Sequence, residues 1–226
     1  DGGYRDKIVT DGHYRADFYH NRVLIRNGRI FNEKGLLEYA ADIGTYLPVT
    51  TEKIYYHTMP DMEVSRTRLV DPHHKVEWDR TICHFTKGGF FAVIDSVQAN
   101  ERYEYTTGPI WHSGSVEKTR EADFLLRSTT PEHAGPEGTE NLALRLAFVR
   151  KDLPISVESL RRVAADGQQA VSQYQSDFLL RDEFVHFVTL LIPQDTAEEA
   201  KRADEIIASA SCEVTGEGKC LCLTLT

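Results

Sequence analysis

The sequence has no long apolar run, little sulfur and tryptophan, and no excess of positive charge. Its 226 residues include 2 Met, 2 Trp and 4 Cys, and no stretch approaches the ~18 consecutive apolar residues of a membrane-spanning helix. The net charge is −9, which disfavours nucleic-acid binding because that function needs a basic face. An acidic polysaccharide would also be repelled, unless Arg, Lys or a metal ion acts locally.

Motifs that define several common enzyme classes are also missing. There is no Gly-rich phosphate loop, Gly-x-Ser-x-Gly or His-Glu-x-x-His. The cysteines form no Cys-x-x-Cys pair, which disfavours a zinc site made of thiolates alone. We expect free, buried thiols, with Cys220 and Cys222 on one face of a strand, although a disulfide at Cys212 remains an alternative.

Short apolar segments separated by turn residues make up most of the chain. Met62–Val70 alternates between apolar and polar residues as a half-buried strand does, and Phe90–Ile94 is apolar throughout, as in a central strand. Lys87-Gly88-Gly89 predicts a hairpin turn, and Gly108-Pro109 also has turn composition. The other predicted strands are Val23–Arg26, Leu36–Ala40, Glu52–His57, Lys75–Phe85, Tyr103–Trp111, Ala122–Ser128, Leu142–Phe148, Ile155–Val163, Ala170–Phe178, Phe184–Ile192 and Cys220–Leu225.

This spacing predicts an all-β fold, a large antiparallel two-sheet sandwich of the supersandwich type, forming a single domain over residues 1–226. One short helix is expected near the C-terminus, over Ala197–Ala208. It opens with the capping box Thr196-x-x-Glu199. Residues 129–141 carry prolines, glycines and glutamates and are expected to form an exposed loop.

Two short N-terminal stretches are the richest in chemistry. Asp1-Gly2-Gly3-Tyr4 supplies a carboxylate, and Tyr19-His20-Asn21 places an imidazole just before the start of an apolar strand. Both are zinc-type ligands, although a histidine satisfied by hydrogen bonds is the alternative on spacing alone. A local basic patch is expected nearby, formed by Arg22, Arg26 and Arg29.

Other polar residues have ordinary structural interpretations. We expect His73 and His74 to lie in a turn, His84 and His186 to be hydrogen-bonded, and Asp95 to cap the turn after a buried strand. Trp111 and His112 are candidates for a sugar subsite, because aromatic faces stack on pyranose rings.

The segment 1–29 resembles the heparinase II/III family of polysaccharide lyases. In that family an Asp-x-Gly-x-Tyr stretch, to which Asp1-Gly2-Gly3-Tyr4 is similar with one residue fewer, leads through an aromatic run, here Tyr14–Tyr19, to His-Asn and an apolar strand. Phe90–Val97 is similar to a family strand ending in Asp, and an aromatic segment then reaches His112. Phe187–Pro193 resembles a late strand of the family's sandwich.

Such lyases join an (α/α) toroid to a C-terminal β-sandwich. The resemblance implies that this chain, which opens on Asp and ends within a strand, is most of that sandwich and is inactive without its N-terminal toroid. The implied substrate is an acidic, uronic-acid-containing polysaccharide or oligosaccharide. A secreted or periplasmic location would follow for a bacterial lyase, with a cytoplasmic one left open.

The implied chemistry is β-elimination. The uronate carboxylate is neutralised, a base removes the C5 proton, and an acid protonates the departing glycosidic oxygen. The resemblance implies catalytic roles for Tyr4 and Tyr14, although packing at a strand end is the ordinary role of such tyrosines. Arg22, Trp111 and His112 are expected to contact substrate.

The resemblance also implies zinc in the sandwich. Asp1 and His20 match two of its three ligands, and the third is a histidine upstream of this chain, so the ligand set here is incomplete. The alternative to a lyase is a non-catalytic carbohydrate-binding or structural β-sandwich.

Overall fold

The computed structural model describes residues 17–31, 34–43, 50–127, 143–159 and 169–226. These residues form two main antiparallel sheets, of eight and five strands, which confirms the expected all-β sandwich. The strands are β1 (Val23–Asn27), β2 (Thr50–Met59), β3 (Met62–Asp71), β4 (Val76–Phe85), β5 (Phe90–Ala99), β6 (Tyr103–Ser113), β7 (Ser115–Arg120), β8 (Asp123–Arg127), β9 (Ala143–Phe148), β10 (Ile155–Ser159), β11 (Gln169–Gln173), β12 (Gln175–Leu179), β13 (Phe184–Pro193), β14 (Ala210–Thr215) and β15 (Cys220–Leu225).

The large sheet has the strand order β2-β3-β4-β5-β13-β9-β8-β7. The small sheet has the order β1-β6-β11-β10, with β12 also paired to β6, and β14 and β15 form a separate hairpin. The predicted turn between β4 and β5 is confirmed. Gly89 has φ +60° there, a backbone conformation in which glycine is favoured because it lacks Cβ.

Alternating side chains of the two sheets build the core between them. One buried cluster combines Val23 and Ile25 of the small sheet with Trp78, Val97 and Phe187 of the large sheet. These residues occupy alternate positions in their strands because successive side chains point to opposite faces. Burying both inner faces is the main stabilisation of a sandwich.

Helices cover part of the outer faces. The helix α1 (Leu36–Ile43) packs on the small sheet, and α2 (Ala197–Ser209) packs with the β14–β15 hairpin on the large sheet. The predicted capping box of α2 is confirmed: the Thr196 hydroxyl accepts from the backbone N–H of Glu199 (3.2 Å), and the Glu199 carboxylate accepts from the backbone N–H of Thr196 (2.9 Å). Among the described part of the chain, no helix has the length and apolar character to cross a membrane.

The strand predicted over Leu36–Ala40 is wrong, because this segment is part of α1. The carboxylate of Glu158, on β10, accepts from the backbone N–H groups of Leu37 (2.9 Å) and Glu38 (2.7 Å) and so caps the start of the helix. The cap comes from a residue distant in sequence, so local pattern gave no sign of it.

The single strand predicted over Ala170–Phe178 is two strands, β11 and β12, with a break at Tyr174. Gly108-Pro109, which has turn composition, instead lies inside β6. A Cβ on Gly108 would fall 2.0 Å from the carbonyl oxygen of Gln173, so glycine is needed where this backbone approaches.

The four cysteines are free thiols. Cys83 and Cys212 are half-buried, but Cys220 and Cys222 are exposed, which corrects the expectation that all four are buried. Residues 129–141 of the predicted loop and 160–163 of a predicted strand lie outside the described residues.

Candidate functional site

The predicted site residues divide into two groups. Asp1, Tyr4 and Tyr14 lie outside the described residues. The others, His20, Arg22, Trp111 and His112, lie at one end of the sandwich, where the chain enters β1 and where β6 ends. They share this place because β1 and β6 are antiparallel neighbours, and the backbone N–H of Ile110 donates to the carbonyl of Arg22 (2.9 Å).

Asn21 ties the entry of β1 to both sheets. Its side-chain Oδ1 accepts from the backbone N–H of His112 (2.7 Å), and its carbonyl oxygen accepts from Nη1 of Arg80 (2.8 Å). We call these two contacts the Asn21 junction. They fix the residue that follows His20, so the imidazole is carried on a backbone held at two points. Sequence reasoning assigned no role to Asn21, although it stands inside the His-Asn motif.

Arg80 is itself held by a buried carboxylate. It lies directly opposite Asp95 in the β4–β5 pairing, and its Nε and Nη2 donate to the two carboxylate oxygens (2.7 and 3.0 Å). The Asp95 side chain is fully buried and also accepts from Nε1 of Trp78 (2.9 Å). Such bidentate pairing fixes the direction of the guanidinium.

The expectation that Asp95 caps a turn is therefore wrong. It lies in the middle of β5, because that strand continues to Ala99 through pairing with β4 on one side and β13 on the other. A carboxylate at this buried position needs partners, and Arg80 and Trp78 supply them.

Two tryptophans flank the arginine. The Cζ atom of Arg80 lies 5.0 Å from the ring centroid of Trp78 and 5.2 Å from that of Trp111, and Cζ of Arg22 lies 5.5 Å from Trp78. Both distances for Arg80 suit cation–π attraction. Trp111 is only 7% exposed, so here its ring supports Arg80. A direct contact between Trp111 and a sugar stays a prediction.

His112 lies on the opposite face of β6 from Trp111 and is 8% exposed. Burial, with the nearby charge of His20 acting in the same direction, lowers the pKa of His112 to about 4. The ring is therefore neutral near pH 7 and carries no positive charge. It borders a cavity of about 310 Å³ whose other lining residues are Ser113, Leu126, Arg127, Ala143, Leu144, Pro193 and Asp195.

The basic patch predicted from Arg22, Arg26 and Arg29 is not formed by all three. Arg26 is 2% exposed, and its guanidinium pairs with Asp17 at 2.7 Å, so it serves the fold. Arg29 is exposed and lies 4.0 Å from Asp177. Of the three, Arg22 remains as a source of positive charge near His20. A second source is Arg80, which the sequence did not indicate.

His20 is half-buried and is the one predicted zinc ligand among the described residues. Within the described ranges, no group of three or more His, Cys, Asp or Glu side chains is placed to hold a metal ion. Zinc binding by Asp1 and His20 stays a prediction, because Asp1 lies outside the described residues.

The other histidines singled out in the sequence, His73, His74, His84 and His186, have structural roles. His73 and His74 lie in the predicted turn, where Nδ1 of His74 is 2.7 Å from the Asp71 carboxylate. His186 is buried and hydrogen-bonded as expected, with Nδ1 2.8 Å from the Ser96 hydroxyl and Nε2 2.9 Å from the Gly218 carbonyl. His84 stacks on Phe91.

Comparison with known proteins gives a likeness in fold. No protein-family model and no curated protein sequence matches the chain. Among solved structures, a heparinase III gene product with methylated lysines superposes on 99% of this chain with a TM-score of 0.59 and 12% identity. A heparan sulfate lyase, HepC from Pedobacter heparinus, superposes on 78% with a TM-score of 0.49 and 13% identity.

At such identities the likeness to the heparinase III structure bears on the fold alone. This chain spans 32% of the length of that heparinase III protein and 28% of the heparan sulfate lyase.

Proposed function

We propose that this chain is the β-sandwich part of a polysaccharide lyase that cleaves uronic-acid-containing glycans by β-elimination. The observation that carries the proposal is the Asn21 junction, which gathers His20, Arg22 and His112 at one end of a sandwich of heparinase III-like fold. Among the described residues, His20, Arg22 and His112 thus lie at the same end of the molecule, and this common position supports the proposal.

The local charge at this end of the sandwich suits a negatively charged uronic acid, whereas the net charge of the whole chain does not. The net charge of −9 repels a polyanion at long range, so a lyase of this kind needs local positive groups. Arg22 is half-buried beside Trp78, and its guanidinium is proposed to pair with the substrate carboxylate. Neutralising that carboxylate is the step that makes the C5 proton acidic.

His112 and the predicted tyrosines would serve the remaining steps. A neutral imidazole can donate or accept one hydrogen bond at a sugar hydroxyl without adding charge. Tyr4 and Tyr14 are proposed to move the protons, with the toroid supplying the other half of the active site. Asp1 and His20 are proposed to hold a zinc ion together with a histidine from outside this chain.

The test uses the longest natural protein that contains this chain, incubated with heparan sulfate and with other uronic-acid glycans. Elimination creates an unsaturated uronate, which absorbs in the ultraviolet, so a rising absorbance measures the reaction directly. Arg22→Ala should raise KM, whereas Arg29→Ala, which removes an exposed arginine from the same segment, should not. Glycan binding without any rise in absorbance would favour the non-catalytic binding module instead.

Zinc is tested separately by elemental analysis of the same protein. His20→Ala should lower the zinc content per chain, while His73→Ala, which changes an exposed turn histidine, should leave it unchanged. Equal zinc content in the wild type and in His20→Ala would remove His20 from the ligand set.

A further inference from the structure

Two cysteines stand on the solvent face of the C-terminal hairpin. One face of β14 and β15 carries Leu223 and Leu225 against the outer core cluster that includes Ala203 of α2. The other face carries Cys220 and Cys222, and both are exposed. Their spacing of two residues along β15 places both thiols on the same side.

Packing does not explain these thiols. Free cysteine is among the most buried residue types, yet neither residue belongs to the core cluster beneath the hairpin. In the β14–β15 pairing, Cys220 lies opposite Thr215 and Cys222 opposite Glu213, so neither faces a cysteine that could form a cross-strand disulfide. On this face of the hairpin, the cysteine next to Cys220 is therefore Cys222.

The geometry of a strand suits a shared ion better than an S–S bond. Residues two apart on a strand are separated by about 6.6 Å, and their Cβ atoms run nearly parallel. A disulfide needs Cβ atoms about 3.5–4.5 Å apart. Two thiolates bound to one ion at about 2.3 Å each are on the order of 4 Å apart, a separation that rotation about the two Cα–Cβ bonds provides.

We infer that Cys220 and Cys222 form a two-thiolate site for a soft, thiophilic metal ion of the monovalent copper class. Thiolate ligands select such ions. Zinc fits less well because its structural sites need four ligands, and the described residues offer no group of three or more. On binding, each thiol releases its proton to solvent and two S–H bonds are replaced by two S–metal bonds, so no oxidant is required.

The site is independent of the proposed lyase function. The hairpin packs on the outer face of the large sheet, whereas Arg80 and Asp95 lie on the inner face. Failure of one proposal therefore leaves the other standing.

The experiment titrates the protein with monovalent copper under anaerobic conditions, in competition with the coloured chelator bicinchoninate. We expect one ion per chain in the wild type. Cys220→Ser and Cys222→Ser should each weaken binding by about 10²–10⁴-fold, because the second thiolate binds as an intramolecular ligand. Circular dichroism checks that each variant is folded.

Cys212→Ser is the matched control, since it changes a half-buried thiol in the same hairpin, paired with Leu223. It should retain the wild-type affinity. The inference is overturned if Cys212→Ser loses as much affinity as Cys222→Ser, if the single exposed-cysteine variants bind as the wild type does, or if one ion binds per two chains.

Discussion

The side chain of Asn21 and the backbone of His112 are joined by a 2.7 Å hydrogen bond that links the entry of β1 to the end of β6. The same asparagine receives Arg80 from the other sheet through its carbonyl oxygen. One residue therefore sets the position of the His20 backbone relative to both sheets.

Asn21→Ala should lower the free energy of unfolding by about 1 kcal/mol, because the backbone N–H of His112 loses its acceptor in a partly buried hydrogen bond. Urea denaturation of the wild type and the variant measures this change. Asn27→Ala is the control, since Asn27 is exposed at the end of β1 and bonds Tyr39 through its backbone carbonyl, which the substitution keeps. Equal stability of the two variants would contradict the role given to Asn21.

Asp95→Ala should destabilise the protein by about 3–5 kcal/mol, because it leaves the partly buried guanidinium of Arg80 without its counter-ion. The Nε1 donor of Trp78 loses its acceptor in the same variant. The free energy of unfolding in urea is the measurement.

Asp61→Ala provides the comparison for Asp95. Its carboxylate pairs with Lys87 at 2.6 Å, but both side chains are largely exposed, so removing it should cost no more than about 1 kcal/mol. A loss for Asp95→Ala as small as that for Asp61→Ala would show that the buried pair does not stabilise the sandwich.

The free energy of unfolding should depend on pH in part through the titration of His186. Burial lowers the pKa of His186 in the folded protein. The hydrogen bond to Gly218 opposes this shift in part, and the charge of Arg150 adds a smaller lowering effect. The unfolded chain therefore binds the proton more readily. The resulting stability is present above the ordinary histidine pKa of about 6.5 and is lost as the pH falls below it.

His186→Gln should make the free energy of unfolding fall less steeply between pH 7.5 and 5.5, as followed by urea denaturation at each pH. Part of the slope will remain, because the pKa of His112 is lowered as well. His57→Gln changes an exposed histidine on β2 and should keep the wild-type slope. An unchanged slope in His186→Gln would rule out His186 as a source of the acid sensitivity.

The candidate site was predicted only in part. His20, Arg22, Trp111 and His112 were selected from residue type and resemblance, and the structure gathers them at one end of the sandwich. Arg80 and Asn21 were missed because their roles depend on a contact between two residues that are 59 positions apart in the sequence. Asp95 was selected but misassigned, since its partners come from the neighbouring strand.

Local sequence was sufficient wherever an element contains its own signals. Strand β3 follows from the alternating residues of Met62–Val70, the β4–β5 turn from Gly88 and Gly89, and α2 from the capping box at Thr196, because each needs only residues within a few positions of one another. The tertiary structure decided the rest. The helix α1 begins where Glu158 supplies a cap that is distant in sequence, and Arg80 reaches Asn21 only after the two sheets pack. In both cases a charged or polar group pairs with a group that is close in space but far away along the chain.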